Sequence, residues 1–242
     1  MTSSTNFSTS PKRHHGPPLG IVAVVYMLIF LVGLYFVSPL RGKPFFPAPS
    51  ESFEVIAAFF AARSSAVLFC AALHFGAAIP LGIYTATIVS RLRFLGVRAA
   101  GAYITLFGGF ATAVIMVTSS SVLWTMSYPG IAQDSTLLQA LYRLQFALGG
   151  PGFSVPFGLL AAGVSVTAGF TKLLPKWLVV FGLLIAIAGE LSWLNLLSSR
   201  ALVLIPLTRF PGLIWLIVVG FMLPNTAQYR ANIIDHKESP QE

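Results

Sequence analysis

Long apolar runs, repeated six times along the chain, constrain its fold more than any other feature of the sequence. They cover residues 19–40, 64–89, 99–127, 137–170, 177–197 and 201–223. About 20 apolar residues in a helix cross a hydrocarbon layer of about 30 Å. Because backbone groups in that layer have no water to bond, each run must form a helix. The sequence therefore predicts an all-α bundle of about six transmembrane helices, forming a single domain at residues 19–223.

Composition excludes the main alternatives to a membrane protein. Only 9% of the residues are charged, against about 25% in soluble domains. The net charge of +8 does not indicate a nucleic-acid partner, because the basic residues are spread over the loops rather than gathered on one surface. The sequence contains no motif for a metal or a cofactor. The single cysteine, Cys70, has no partner for an intrachain disulfide and is expected to be buried packing.

The polar segments outside the runs predict two tails and one short helix. Residues 1–18 are rich in Ser and Thr and are expected to be a disordered tail, and residues 224–242 form a second polar tail. The first run is longer than the core of a cleavable signal peptide and indicates a retained anchor. Residues 50–62 have apolar residues at helical spacing. They predict either a helix on the membrane surface or an extension of the next span.

The distribution of basic residues predicts the orientation. With six spans both termini share a side, and nine loop or tail cations fall on that side, against four on the other. The nine are Lys12, Arg13, Arg91, Arg93, Arg98, Lys172, Lys176, Arg230 and Lys237, and the four are Arg41, Lys43, Arg63 and Arg200. Because basic loops stay in the cytoplasm, both termini are expected to be cytoplasmic.

Four ionisable residues within the spans indicate a polar site. At about 1.5 Å of rise per residue, Arg143, Glu190 and Arg209 lie roughly 9 to 12 Å below the outer ends of their spans, and His74 lies slightly deeper. A charge at the centre of a span costs about 2.5 to 3.5 kcal/mol, so these groups are expected to face each other. Glu190 is the only acid within a span and is the expected counter-ion of Arg143, Arg209 or both.

Two interpretations of this layer remain open. With Gln145 and Asn195 nearby, the arginines can form a site for an anion such as a carboxylate or a lipid phosphate, since guanidinium suits oxyanions. Alternatively, Arg143 and Arg209 are close enough to the outer interface to snorkel, and Glu190 with one arginine forms a structural clip between helices.

Glycine and proline patterns predict a break and close helix contacts. Gly149, Gly150, Pro151 and Gly152 interrupt the fourth run, and irregular backbone in a membrane is tolerated where it is buried or lines a cavity. The corresponding first run is unbroken, so no inverted repeat is inferred. Small residues four apart in the second run (Ala72 and Gly76, Ala78 and Gly82) and a cluster in the third (Gly108, Gly109 and Thr112) predict close packing of neighbouring helices.

Three functions fit these features. The first is binding or transport of a small anion or lipid at the polar layer, with His74, Arg143, Gln145, Glu190, Asn195 and Arg209 as the candidate ligand-binding residues. The second is a non-catalytic accessory or structural subunit that docks another membrane protein through its small-residue faces. A lipid-modifying enzyme has least support, because no catalytic motif is present and a lone His74 is more often hydrogen-bonded to a neighbouring backbone.

The last two spans resemble a known group of proteins. The segments LPKWLVVFGLLIAIAGELSWLNLL (residues 174–197) and LIPLTRFPGLIWLIVVGFMLP (residues 204–224) are similar to the closing part of bacterial six-span membrane proteins known as a domain of unknown function. The resemblance implies a six-helix fold and the bacterial cytoplasmic membrane. It implies no activity and no functional residues.

Overall fold

The computed structural model describes residues 13–226, and within them the chain is helical and contains no strand. Eight α-helices follow one another: α1 Leu19–Val37, α2 Phe53–Ala62, α3 Ser64–Phe94, α4 Gly101–Met126, α5 Ser135–Ala147, α6 Phe153–Phe170, α7 Lys176–Leu191 and α8 Leu204–Met222. A π-helical turn, Leu148–Gly152, joins α5 to α6 without a gap. Two 3₁₀ turns, Ser192–Leu196 and Ser199–Val203, connect α7 to α8.

Six helical stretches are long and apolar enough to cross a membrane, which confirms the predicted fold class. They are Leu19–Val37, Ser64–Phe94, Gly101–Met126, Ser135–Phe170, Lys176–Leu196 and Ser199–Met222. The described chain is therefore a multi-pass membrane protein. The end of the bundle at Leu19 and Met222 is called the near end below, and the end at Val37, Ser64 and Met126 is called the far end.

The second span is longer than expected, because α3 has 31 residues and continues through Arg91 and Arg93. These two arginines were predicted to lie in a loop, and the structure places them in the last turn of the helix. The negative end of the helix dipole favours cations there. Arg91 is also buried and donates a 3.3 Å hydrogen bond to the carbonyl of Leu223 at the end of α8.

The short helix α2 is separate from α3. Arg63 leaves the helical conformation between them, with φ −124° and ψ 24°. Its side chain donates hydrogen bonds of 3.1 and 2.9 Å to the carbonyls of Gly42 and Lys43. Arg63 therefore fixes the connector between α1 and α2 at the far end of the bundle.

Glycines on α4 allow it to pack closely between α3 and α6. A Cβ atom on Gly108 would lie 2.4 Å from the backbone nitrogen of Leu160, and one on Gly109 would lie 2.2 Å from Oγ1 of Thr85. This confirms the predicted packing face of α4. The small-residue face predicted on α3 does not pack closely against another helix. A Cβ on Gly76 would meet nothing within 4 Å, and one on Gly82 would meet only a ring carbon of Phe110 at 3.9 Å.

The first and last spans cross tightly at the near end. A Cβ on Gly220 of α8 would lie 2.7 Å from the nitrogen of Gly20 on α1. On the same side of the bundle, Tyr84 of α3 donates a 2.9 Å hydrogen bond to the Leu216 carbonyl, and the buried Trp215 donates one of 3.1 Å to Leu178 of α7. Helix α8 is thus held between α1, α3 and α7.

The segments that flank the bundle meet at the near end. His14 donates its backbone N–H to the Asn225 carbonyl at 2.8 Å, and its side chain lies 3.0 Å from the hydroxyl of Ser90. Partial burial, followed by the charges of Arg91 and His15, lowers the pKa of His14. Residues 13–18 and 224–226 are therefore placed against the bundle, contrary to the expected tails. Residues 1–12 and 227–242, where the rest of those tails was predicted, lie outside the described residues.

The glycine packing of α4 predicts that Gly108→Ala lowers the free energy of unfolding by about 1 to 3 kcal/mol, the usual cost of overpacking. The added methyl group would collide with backbone atoms of α6, which cannot rotate away. Gly76→Ala is the matched control, because its methyl group meets open space. Thermal unfolding of both variants in the same detergent checks this, and equal melting temperatures would contradict it.

Candidate functional site

The fourth span changes its helical geometry instead of breaking. Asp134 caps the start of α5 by accepting hydrogen bonds from the backbone N–H groups of Thr136 and Leu137 at 3.1 and 3.0 Å. The chain then continues through the π-helical turn, which contains Pro151. Proline has no N–H to donate, so the regular bonding pattern cannot continue through this position. The predicted interruption is therefore a widened turn, and such turns are frequent at functional sites.

A cavity of about 670 Å³ lies beside this turn, towards the far end of the bundle. We call it the Arg209 cavity. Its polar lining includes His74 on α3, Ser119 and Ser120 on α4, Gln145 and Gly149 in the fourth span, and Arg209 on α8, together with Ser38 at the end of α1. The rest of the lining is mainly apolar and includes Phe30, Leu34 and Val37 of α1, Met116 and Leu123 of α4, and Phe153 of α6.

The guanidinium of Arg209 is the central polar group of this cavity. Its Nη2 donates a hydrogen bond to the carbonyl of Gly149 in the π-helical turn. The group also lies over the ring of Phe153, at 4.6 Å from the centroid, and within 5.6 Å of the centroid of Phe30. Contacts with ring faces stabilise a cation that has left water. The backbone and two aromatic rings therefore hold Arg209 in place.

The charge of Arg209 has no carboxylate partner among residues 13–226. Its Nε is buried and has no hydrogen-bond partner. Its Nη1 donates no hydrogen bond either, but it is accessible from the cavity. A unit negative charge about 4 Å from the guanidinium would attract it by about 4 kcal/mol at an effective dielectric constant of about 20. An oxyanion in the cavity would supply the missing negative charge.

His74 makes contacts through its ring face and both ring nitrogens. Its Nε2 lies 3.0 Å from the Phe30 carbonyl, its Nδ1 lies 3.7 Å from Sγ of Cys70, and its ring stacks on Phe30 at 4.5 Å between centroids. The expected hydrogen bond to a neighbouring backbone is confirmed. Because these contacts occupy both nitrogens, His74 is arranged as part of the wall rather than as a proton-transfer group.

The predicted site residues do not form one cluster. His74, Gln145 and Arg209 line the Arg209 cavity, whereas Arg143 and Asn195 line a second cavity of about 580 Å³. Glu190 lines neither of these cavities. The prediction that the charged layer meets at a single place is therefore wrong.

The expected role of Glu190 as a counter-ion is also wrong within the described residues. Its carboxylate lies at the contact of α6 and α7, where a Cβ on Gly158 would be 3.2 Å from Oε1. That oxygen is buried and has no hydrogen-bond partner, and no ion pair joins Glu190 to Arg143 or Arg209. Within residues 13–226, Glu190 therefore forms no structural clip with an arginine.

Three contributors to the site were missed at the sequence level. These are the Gly149 carbonyl and the rings of Phe30 and Phe153. Aromatic residues are common in the spans, so nothing singled out these two. The carbonyl could have been suspected, since Pro151 predicts disturbed backbone bonding close to Gly149.

No family model matches the chain, and comparisons with curated proteins and with solved structures also find no match. The resemblance of the last two spans to a bacterial family therefore stays a prediction. The fold itself defines the class, a polytopic membrane protein. Residues 13–226 contain no group of three or more His, Cys, Asp or Glu side chains that could hold a metal ion.

The placement of Glu190 predicts that Glu190→Gln changes the free energy of unfolding by less than about 1 kcal/mol. Breaking a buried ion pair would instead cost about 3 to 5 kcal/mol. Glu54→Gln on the exposed face of α2 is the control for loss of one negative charge. Thermal or denaturant unfolding in detergent measures both variants. If Glu190→Gln alone lowered the free energy of unfolding by about 3 kcal/mol or more, the structural clip would be the better interpretation.

Proposed function

We propose that this protein binds an anionic amphiphile, a molecule with a carboxylate or phosphate group and an apolar chain, in the Arg209 cavity. The observation that carries the proposal is the guanidinium of Arg209, which faces a mainly apolar cavity without a carboxylate partner in residues 13–226. Guanidinium has a fork of N–H donors that suits oxyanions. The anion would complete the charge balance that the described residues leave open.

The size and lining of the cavity support this class of ligand. A volume of about 670 Å³ falls within the range of about 300 to 1,000 Å³ found for small-molecule sites. Such sites combine an apolar lining with a few polar groups that orient the ligand. Here Ser119, Ser120 and Gln145 provide neutral hydrogen-bonding groups near Arg209. A fully hydrated inorganic anion would leave the apolar walls without a partner.

The arrangement of α1 and α8 supports access from the lipid. These helices touch through Gly20 and Gly220 at the near end, whereas their far halves line the cavity. Large apolar side chains on the cavity lining are exposed, with Leu40 at 84% and Phe210 at 42%. An acyl chain can therefore lie against apolar surface while its anionic group reaches Arg209.

Binding, rather than catalysis, agrees best with the polar groups of the cavity. His74 is engaged on both nitrogens, and Cys70 and His74 contact each other inside the wall. The hypothesis of an accessory subunit rests only on small-residue faces. The face on α4 is buried against α3 and α6 within the chain, and the face on α3 is open at Gly76 but has no second observation that identifies a partner. We therefore favour ligand binding over docking as the function.

Oleate provides a direct test in alkaline buffer, at a pH above the raised pKa of a carboxyl group in a micelle. We expect oleate to raise the melting temperature of the maltoside-solubilised protein, and monoolein, which has the same chain without a charge, to have little effect. Arg209→Gln should weaken oleate binding by about 10- to 100-fold, since hydrogen bonds to charged groups contribute about 1.5 to 3 kcal/mol. Arg200→Gln, an exposed far-end arginine outside the cavity, should bind as the wild type does.

A second variant distinguishes a loss of oleate binding from a folding defect of Arg209→Gln. Leu34→Trp narrows the cavity from α1 and leaves Arg209 unchanged, so it should also weaken oleate binding. Equal stabilisation by oleate and monoolein, or unchanged oleate affinity in both cavity variants, would refute the proposed function.

We also propose that both termini face the cytoplasm of a bacterial cell, on the basis of the excess of basic residues on their side. In a Cys70→Ala background, Ser8→Cys should be protected from a membrane-impermeant maleimide in intact cells. Gly130→Cys, in the exposed loop before α5, should be labelled. The reverse labelling pattern would show the opposite orientation.

A further inference from the structure

The second cavity carries an inference that goes beyond the proposed function. Its volume is about 580 Å³, and it lies at the far end of the bundle. Its walls come from the connector before α2, from α2 and α5, and from the two 3₁₀ turns between α7 and α8. We call it the far-end cavity.

Hydrogen bonds and ring contacts hold the walls of the far-end cavity. The buried hydroxyl of Tyr142 on α5 donates a 2.8 Å hydrogen bond to the Pro47 carbonyl, which ties the connector to α5. The ring of Phe46 stacks on Tyr142 at 6.0 Å between centroids. On the opposite wall, the Ser192 hydroxyl donates a 2.6 Å hydrogen bond to the Gly189 carbonyl where α7 ends. The cavity is therefore built into the fold and is not a gap between loose loops.

Opposite charges line this cavity without pairing. Arg143 of α5 and Glu51 of the connector both contribute to the lining, and no ion pair joins them in the described chain. Neither side chain makes a hydrogen bond to another described residue. The amides of Gln139 and Asn195 also line the cavity, and Nδ2 of Asn195 is buried without a hydrogen-bond partner.

We propose that the far-end cavity binds a zwitterionic group, with its oxyanion at Arg143 and its ammonium at Glu51. Guanidinium is suited to phosphate or carboxylate, and a carboxylate accepts hydrogen bonds from an ammonium group. The exposed amide of Gln139 provides a further donor for the oxyanion. The aromatic and aliphatic side chains of Phe53, Phe146 and Leu202 surround the remaining volume. The same chemistry is found in a free phosphoethanolamine and in the headgroup of an ethanolamine phospholipid.

This site is distinct from the Arg209 cavity, because no residue lines both. Helix α5 and the π-helical turn separate them: Arg143, Phe146 and Ala147 line the far-end cavity, and Gln145 and Gly149 line the Arg209 cavity. Ligands of the two sites can therefore be tested independently. Failure of oleate binding would not affect the far-end site.

The test uses the full-length protein in maltoside, with O-phosphoethanolamine as the probe and titration calorimetry as the measurement. We expect saturable binding of O-phosphoethanolamine, and at least tenfold weaker binding of inorganic phosphate or ethanolamine alone. Arg143→Gln and Glu51→Gln should each weaken binding at least tenfold. Arg200→Gln and Glu54→Gln are matched controls, because both are exposed charges at the far end that do not line the cavity. Both controls should stay within twofold of the wild type.

A charge exchange distinguishes a zwitterion site from general charge effects. The double variant Glu51→Arg with Arg143→Glu should recover at least part of the lost affinity, since the ligand can bind in the reverse direction. Both positions are exposed, so these variants are expected to fold, and their melting temperatures without ligand check this.

The source of the zwitterion is resolved by a parallel measurement. Native mass spectrometry with lysophosphatidylethanolamine and with lysophosphatidylglycerol compares zwitterionic and purely anionic headgroups. Preferential retention of the ethanolamine lipid, lost in Arg143→Gln, would assign the site to a lipid headgroup. Binding of O-phosphoethanolamine without that lipid preference would assign it to a soluble ligand. If neither probe binds, or if the control variants lose affinity equally, the proposal is wrong.

Discussion

The absence of water from the hydrocarbon layer is the constraint on which this structure depends. Backbone polar groups in a span must find their partners within the protein, and polar side chains there have no water to bond either. Some hydroxyl groups are satisfied locally, as those of Thr85, Thr112 and Thr208 are by donating to the carbonyl four residues earlier. Arg209 cannot do so, and it takes the Gly149 carbonyl together with two aromatic rings. These neutral partners hold the guanidinium in place but leave its charge unbalanced.

The depth of the polar residues could be predicted from the sequence, but their direction around each helix could not. Counting residues from the span ends placed Arg143 and Arg209 at similar levels, and the structure separates them into two cavities. A helix turns by about 100° per residue, so Arg143 and Gln145 point about 200° apart. They therefore face opposite sides of α5. The depth of a residue in the membrane does not determine the direction in which its side chain points.

The six spans were predictable because about 20 apolar residues in succession form a membrane-spanning helix. The pairing of charges was not, because it depends on which helices become neighbours. Glu190 was assigned to the arginines by elimination, since it is the only acid in a span. The structure instead places it against Gly158, where α6 and α7 are in contact. Charge balance over the sequence does not imply an ion pair in space.

The position of Arg209 has a consequence for biosynthesis. Spans leave the ribosome in chain order, and Arg209 lies on the sixth of the six spans found in residues 13–226. Until α8 inserts, the carbonyl of Gly149 lacks its donor and the α1 surface at Gly20 lacks its partner. The Arg209 cavity therefore comes into existence only once α8 has inserted. A chain truncated after α7 would keep His74, Gln145 and the π-helical turn, yet it would have neither the cation nor the closing wall.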